Sequence, residues 1–282
     1  MKRLSLSRVG IAAVASALSL TLATGCSDSG SGSKDDDKAA GSDKSTAAAK
    51  ALSSAELTKR IIATGDVDGY KVGPADQSKG FASSKEDVTV VDEKCAPLAY
   101  VLTGFAPGDS ASYVNRMASQ EVSASPSASS SKSLEDMTDE EFEDAMKSIT
   151  DALGQTVTIV SLSSYEGEGA QKTMSSVSDA IKGCASGFTA TPKGGTKDDT
   201  QKFTKVAAEK ASGTGDESLA FAVTGDADGD DVVVHCEVVR HGSTVATYYA
   251  FSLAAFSGED GAGAGDYEIP AEIIKAQAAK LA

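Results

Sequence analysis

Three segments near the C-terminal end alternate apolar and polar residues, and only short turns separate them. The segments are 219–223, 232–239 and 244–251, and the turns are GDADGDD at 225–231 and HGS at 241–243. A period of two is typical of β-strands with one buried face. Parallel neighbours need a crossover of a dozen or more residues, so connections this short allow only antiparallel pairing. The sequence therefore predicts an antiparallel meander.

Helix signals accompany these strands. Capping-box patterns begin at Ser53 and Thr138, and each is followed by apolar residues at helical spacing. Residues 170–182 carry one apolar stripe, and Pro270 suits the first position of a C-terminal helix. A further strand is predicted at 156–160. Helices combined with hairpins indicate an α+β fold, in which we expect the helices to pack on one face of an antiparallel sheet.

The first 25 residues are typical of an export signal. Three basic residues stand at its start, and the 14-residue apolar run at 9–22 is too short to span a bilayer. The junction Leu22-Ala23-Thr24-Gly25-Cys26 resembles the lipobox of bacterial lipoprotein signal peptides. This resemblance implies that the thiol of Cys26 takes a diacylglyceryl group and that Cys26 becomes the first mature residue. The alternative is an ordinary secretory signal followed by a chance cysteine.

The next 24 residues, 27–50, consist only of Ser, Gly, Asp, Lys, Thr and Ala. Such a segment cannot bury enough apolar surface to fold, so we predict a disordered linker over 26–50. A flexible chain of this length reaches about 25–30 Å. Residues 51–282 are then expected to form one α+β extracellular domain, with a low-complexity insertion near 119–132.

The charge is strongly negative. From Cys26 onward the chain has 23 basic and 41 acidic side chains, a formal charge of −18. Nucleic acid is excluded as a partner, because phosphate binding needs clustered Lys and Arg. Anionic lipid head groups repel such a surface, so we expect the domain to stand off the membrane on its linker. Electrostatic steering would favour cationic ligands or basic partner surfaces.

Three cysteines remain when Cys26 is lipidated. Cys95 begins a short helical segment and Cys184 follows the helix at 170–182, so both lie at element ends where a bridge is easily formed. Cys236 alternates with valines on one strand face. In an oxidising compartment we therefore predict a Cys95–Cys184 disulfide and a free, buried Cys236.

No metal or cofactor is predicted. Asp226, Asp228, Asp230 and Glu237 have the spacing of a calcium-binding loop, but Asp231 replaces the glycine that this loop needs, and strands flank it. A solvated hairpin turn is the favoured interpretation.

Catalytic patterns are also lacking, and we predict no catalytic residue. The chain has two histidines, and neither a Gly-x-Ser-x-Gly nor a His-Glu-x-x-His motif occurs. His235 and Cys236 are adjacent on one strand, so their side chains point to opposite faces and cannot share a metal ion.

Four short motifs occur in order: Cys-Ala-Pro-Leu at 95–98, Gly-Cys-x-x-Gly-Phe at 183–188, Gly-Asp-Glu-Ser-Leu at 215–219 and Val-Val-Arg-x-Gly at 238–242. Their succession, over about residues 52–282, resembles actinobacterial surface lipoproteins and, more distantly, the extracellular PknH-like sensor domain of membrane serine/threonine kinases. The resemblance implies an α+β, disulfide-bonded domain that senses a ligand and has no assigned catalytic residue.

These features predict a lipid-anchored module at the extracellular side of the cell membrane that binds or senses a ligand and is not an enzyme. Its expected partners are the membrane, through the lipid on Cys26, and a ligand or cell-envelope protein whose identity stays open. The alternatives are a lipid carrier and a secreted hydrolase. A carrier would need an apolar cavity, which an aromatic content of 5% does not favour.

Overall fold

The structure is a computed structural model that describes residues 50–75, 82–121, 138, 140–143, 155–196, 199–227, 230–252 and 267–282. The signal peptide, Cys26, the linker up to residue 49 and residues 122–132 of the insertion lie outside the described residues. What the sequence indicates for those segments therefore stays a prediction.

The described residues contain nine β-strands: β1 Tyr70–Gly73, β2 Val88–Val90, β3 Ser112–Gln120, β4 Thr156–Ser164, β5 Phe188–Pro192, β6 Gln201–Glu209, β7 Glu217–Ala227, β8 Asp230–His241 and β9 Thr244–Ser252. All pair antiparallel in one sheet, in the order β1-β3-β4-β9-β8-β7-β6-β5-β2. The predicted meander is confirmed as β7-β8-β9 near the centre of this sheet. The strand predicted at 156–160 is confirmed as the start of β4.

Four α-helices have described bounds: α1 Ser54–Arg60, α2 Ala96–Leu102, α3 Gly169–Gly183 and α4 Ala271–Leu281. Both predicted capping boxes are present. Ser53 caps α1, and the Thr138 hydroxyl accepts from the backbone N–H of Glu141 at 3.3 Å. Residues 140–143 are helical, and the rest of that predicted helix lies outside the described residues. None of the helices in the described part is long and apolar enough to cross a bilayer.

The helices cover both faces of the sheet. On β8, Cys236 and Val238 belong to a core cluster with α2 and α3, whereas the next residue, Val239, belongs to a cluster with α1 and α4. Neighbouring residues of a strand point to opposite faces, so the two clusters lie on opposite sides of the sheet. The α+β antiparallel class is confirmed, but the expectation that the helices pack on one face is wrong. The run Val232–Val239 is nearly all apolar, as is typical of a strand buried on both faces.

On the face that carries α2 and α3, a disulfide joins the two helices. Cys95 precedes α2, Cys184 follows α3, and their Cα atoms lie 5.9 Å apart. Cys236 is free and buried on the same side of the sheet. The pairing and the free thiol are those that the sequence predicts.

Candidate functional site

A pocket of about 430 Å³ lies on the opposite face, the one that carries α1 and α4. Its lining comes from the end of β6 and the following loop (Glu209, Lys210, Ser212), from β7 and β8 (Ala220, His235, Cys236, Glu237) and from the chain that enters α4 (Glu268, Ile269, Ala271, Ile274). A cavity of this size suits a small ligand.

Small residues on β7 make room for the pocket. Ala220 pairs with Glu209 of β6 and with Glu237 of β8, and Ala222 pairs with His235. Because alanine is short, the longer side chains of the flanking strands reach over β7. The Nδ1 atom of His235 thus lies 3.0 Å from Oε2 of Glu209, and this pair spans the pocket floor.

Tyr267 fixes the segment that forms the wall opposite β6. Its ring meets the His235 ring edge-on at 5.1 Å, and its hydroxyl donates to the backbone carbonyl of Val233. Burial raises the pKa of Tyr267 to about 12, so the hydroxyl keeps its proton at neutral pH. The segment from Tyr267 to Pro270 is therefore held against β8, and α4 begins at the pocket.

The most unusual group of the pocket is the carboxylate of Glu237, which is 4% exposed. Its Oε1 accepts from the backbone N–H and the hydroxyl of Ser212, at 3.0 and 2.5 Å. Among the described residues, no Lys or Arg nitrogen lies within 4.0 Å of it. Removing an ion from water costs several kcal/mol unless partners compensate, and one serine offsets only part of that cost.

The loop that carries Ser212 is anchored at its far end. Asp216 accepts from the backbone N–H of Gly242 at 2.7 Å and from the guanidinium of Arg240 at 3.0 Å. Gly215 has a φ of 70°, and a Cβ added there would lie 2.5 Å from the Arg240 carbonyl oxygen. Only glycine suits that close, left-handed approach. The loop is therefore pinned to β8, which positions Ser212 over the pocket.

Tyr248 on β9 is the direct neighbour of Glu237 and leaves the sheet on the same face. Its hydroxyl is buried and has no hydrogen-bond partner among the residues that the structure describes. Burial, with the nearby Glu237 charge, raises the pKa of Tyr248 well above its ordinary value. An unsatisfied buried hydroxyl costs about 1–3 kcal/mol, so Tyr248 places beside the pocket a polar group that the described residues do not satisfy.

The rim combines charge with apolar surface. Lys210 and Glu268 are exposed at the mouth, while Ile269 and Ile274 supply apolar wall. Three glutamates stand against one lysine, and Glu209 is already paired with His235. The net charge of the pocket is negative, which favours a basic group with an apolar part.

The cysteines do not contribute reactive groups to the pocket. Cys95 and Cys184 lie on the other face of the sheet. Cys236 lies between two pocket residues, but its side chain packs on the α2–α3 side, and burial raises the pKa of its thiol well above the ordinary value. A protonated, enclosed thiol is a poor nucleophile. Cys26 lies outside the described residues.

The calcium-loop spacing does not bring Asp226 and Glu237 together, and Asp228 lies outside the described residues. Asp226 pairs with Asp231 at the start of β8, and Glu237 is six residues farther along the same strand, roughly 20 Å away. The described residues contain no group of three or more potential metal ligands.

Nothing in the sequence marks Glu209, Ser212 or Glu268 as functional, and Glu237 stands out through the calcium-loop spacing. A second signal was available: Glu237 is an acidic residue inside the apolar run Val232–Val239. A charge in such a run indicates either a solvated strand face or a polar site.

Comparison with known proteins found no matching family model and no matching curated protein. What the chain binds has therefore to be inferred from the residues of the pocket.

Proposed function

We propose that the protein is a lipid-anchored, extracellular binding module without catalytic activity, and that the pocket beside Glu237 is its ligand site. The observation that carries the proposal is the pocket itself. It combines an apolar wall with a buried carboxylate, the composition that is typical of small-molecule sites.

The pocket walls are held in place by contacts within the protein itself, which supports a preformed site. Asp216 pins the loop that carries Ser212, Tyr267 pins the chain before α4, and the Glu209–His235 pair holds the floor. A site with fixed walls loses little conformational entropy when a ligand binds. The proposed lipid on Cys26 and the 24-residue linker would present this site at a distance from the membrane.

A hydrolase fits the pocket less well. Nucleophilic catalysis needs a hydroxyl or thiol beside a general base. Ser212 donates to a carboxylate that is itself enclosed, and the Nδ1 atom of His235 faces Glu209. Neither pairing joins the serine to the histidine.

A lipid carrier also fits less well. Acyl chains need an apolar cavity, whereas this pocket exposes carboxylates from three sides and a lysine at its mouth. The apolar clusters on the two faces of the sheet are filled by side chains of the helices and strands.

A matched pair of substitutions on α4 tests the site. Ala271 is exposed and lines the pocket, so Ala271→Trp would fill the cavity without entering the core, and Ala279→Trp places the same side chain on an exposed position of the same helix. The full chain, extracted from membranes in detergent, would be screened against small molecules by the rise in Tm. A ligand at 100 times its Kd stabilises the folded state by about 2.7 kcal/mol.

We expect compounds that raise the Tm of the unaltered protein and of Ala279→Trp but not that of Ala271→Trp. Compounds that raise the Tm of both variants would place binding elsewhere. If the protein chemically converts a bound compound and Ala271→Trp abolishes this conversion, the claim that the module is not catalytic is wrong.

A further inference from the structure

Glu237 is the only buried charged residue in the part of the chain that the structure describes. Other ionic groups of this face lie at the surface, where water screens them. A carboxylate at 4% exposure has lost most of its contact with water, a cost that only surrounding polar or positive groups offset. The compensation it has comes from one residue, Ser212, through two bonds to the same oxygen, Oε1.

The lysine of the pocket lining, Lys210, does not supply a positive partner for Glu237. Lys210 lines the mouth, but its ammonium lies beyond salt-bridge distance of Glu237 and the residue is exposed. His235 faces Glu209, its neighbour across β7. The carboxylate of Glu237 therefore borders the cavity, and the described residues contain no positively charged partner for it.

The buried hydroxyl of Tyr248 belongs to the residue beside this carboxylate on the neighbouring strand. Glu237 and Tyr248 are directly opposed on β8 and β9, and their side chains leave the same face. Directly opposed residues have Cβ atoms about 5 Å apart. The Tyr248 residue is 1% exposed, and its hydroxyl makes no hydrogen bond to the described residues. Tyr248 is not part of the pocket lining, so the contact with a ligand falls to Glu237.

We infer that the pocket binds a primary alkylammonium group, with the Glu237 carboxylate as its counter-ion. An ammonium has three N–H donors and forms short, charge-assisted bonds to carboxylates. The alkyl part lies against Ile269 and Ile274. This inference rests on the proposed function, since it names the ligand class of the same site.

The ammonium group has two sources, a free amine and a lysine side chain of a peptide. The probes are therefore n-butylamine, putrescine and N-acetyl-lysine methylamide. Their neutral counterparts are n-butanol and N-acetyl-norleucine methylamide, which have similar shapes and no charge. Binding to the full chain in detergent would be followed by the backbone amide NMR signals of Ser212 and Glu237.

We expect the cations to shift these signals in a saturable way and the neutral counterparts to leave them unchanged. Glu237→Gln keeps an acceptor for Ser212 but removes the charge, and we expect at least about tenfold weaker binding. Glu268→Gln removes an equal charge from the exposed rim, and we expect less than about threefold change. Lys210→Ala removes a competing positive charge and should strengthen binding by about two- to threefold.

The result that overturns the inference is binding of n-butanol as tight as that of n-butylamine, or the absence of binding by every cation. Both readouts use the unaltered protein, so they hold even if Glu237→Gln fails to fold. Unchanged affinity in a folded Glu237→Gln also overturns it. If neutral or anionic ligands bind and Ala271→Trp abolishes them, the binding function stands while the ammonium inference fails.

Discussion

Gln277, in the last helix, holds the end of the first helix of the domain through both atoms of its amide. Its Nε2 donates to the carbonyl of Arg60 at 2.8 Å, and its Oε1 accepts from the backbone N–H of Ile62 at 3.0 Å. The side chain is fully buried. The last carbonyls of a helix have no partner within the helix, so a residue 217 positions away completes α1. Since α4 also walls the pocket, this contact links the stability of the fold to the site.

Gln277→Leu should destabilise the fold. The substitution keeps the volume approximately, but it leaves the buried N–H of Ile62 and the part-buried carbonyl of Arg60 without partners, and an unsatisfied buried group costs about 1–3 kcal/mol. We expect a loss of about 2–4 kcal/mol in the free energy of unfolding, measured by urea denaturation. Gln171→Leu on the exposed face of α3 is the control and should change stability by less than about 0.5 kcal/mol. Equal effects of the two substitutions would contradict the role of Gln277.

Removing the Cys95–Cys184 bridge should also destabilise the fold. The disulfide closes a loop with a sequence separation of 89, for which the chain-entropy model gives about 4–5 kcal/mol. Dithiothreitol should therefore lower the urea midpoint of the unaltered protein and leave that of a Cys95→Ala/Cys184→Ala variant unchanged. Peptide mapping without reductant supplies the independent check. A peptide that links Cys236 to another cysteine would show that the pairing is wrong.

The centre of the fold could be predicted from the sequence because its signals are local. Short turns and alternating residues define the meander, and capping boxes define helix starts. The outer strands give no such signal. In β6, Val206 is the only buried residue, so apolar alternation is absent. Strands β1 and β2 have four and three residues and form because a neighbouring strand pairs with them.

The pocket could not be predicted, because its residues meet only through the register of three strands. Glu209 and His235 are 26 residues apart and touch diagonally across β7, where Glu209 pairs with Ala220 and His235 with Ala222. The contact between Ser212 and Glu237 depends on a loop that Asp216 pins to the β8–β9 turn. The apolar residues of β8 predict a buried face that carries Cys236, but they do not indicate that helices cover the other face as well. A local pattern gives the period of a strand, not what covers each face.

The contact between Asp66 and Lys280 should give the protein a specific acid dependence. Oδ2 of Asp66 lies 2.5 Å from the Lys280 ammonium, and this hydrogen bond in particular holds the pKa of Asp66 below its ordinary value of 3.8. A lowered folded-state pKa stabilises the fold above the unfolded-state pKa, and the contribution disappears as the pH falls through the lowered value.

We therefore expect Asp66→Asn to cost about 0.5–1 kcal/mol at pH 7 and progressively less below pH 3.8. Urea denaturation at several pH values measures the difference. Asp68→Asn is the control, since Asp68 is exposed and makes no ion pair among the described residues. A difference that is independent of pH would contradict the assignment.

Cys26→Ala should abolish the lipid anchor, because the substitution removes the thiol that the lipobox resemblance assigns to the diacylglyceryl group. We expect the variant to lack the mass of the lipid and to accumulate as unprocessed precursor. Cell fractionation, carbonate washing and intact mass spectrometry measure these outcomes. Cys236→Ala is the control and should remain lipidated. A Cys26→Ala protein that is still cleaved and still held by the membrane would show that the anchor lies elsewhere.

Gly187, in the turn between α3 and β5, should tolerate no side chain. Its φ is +90°, and an added Cβ would lie 2.1 Å from the backbone carbonyl oxygen of Phe203. Gly194 has a similar φ of +78°, but a Cβ there would have nothing within 4 Å. Gly194→Ala therefore measures the cost of the backbone conformation alone, about 1 kcal/mol. Gly187→Ala adds a clash with backbone that cannot move without breaking the β5–β6 pairing. We expect it to cost at least about 2 kcal/mol more, and equal urea midpoints for the two variants would refute the close approach.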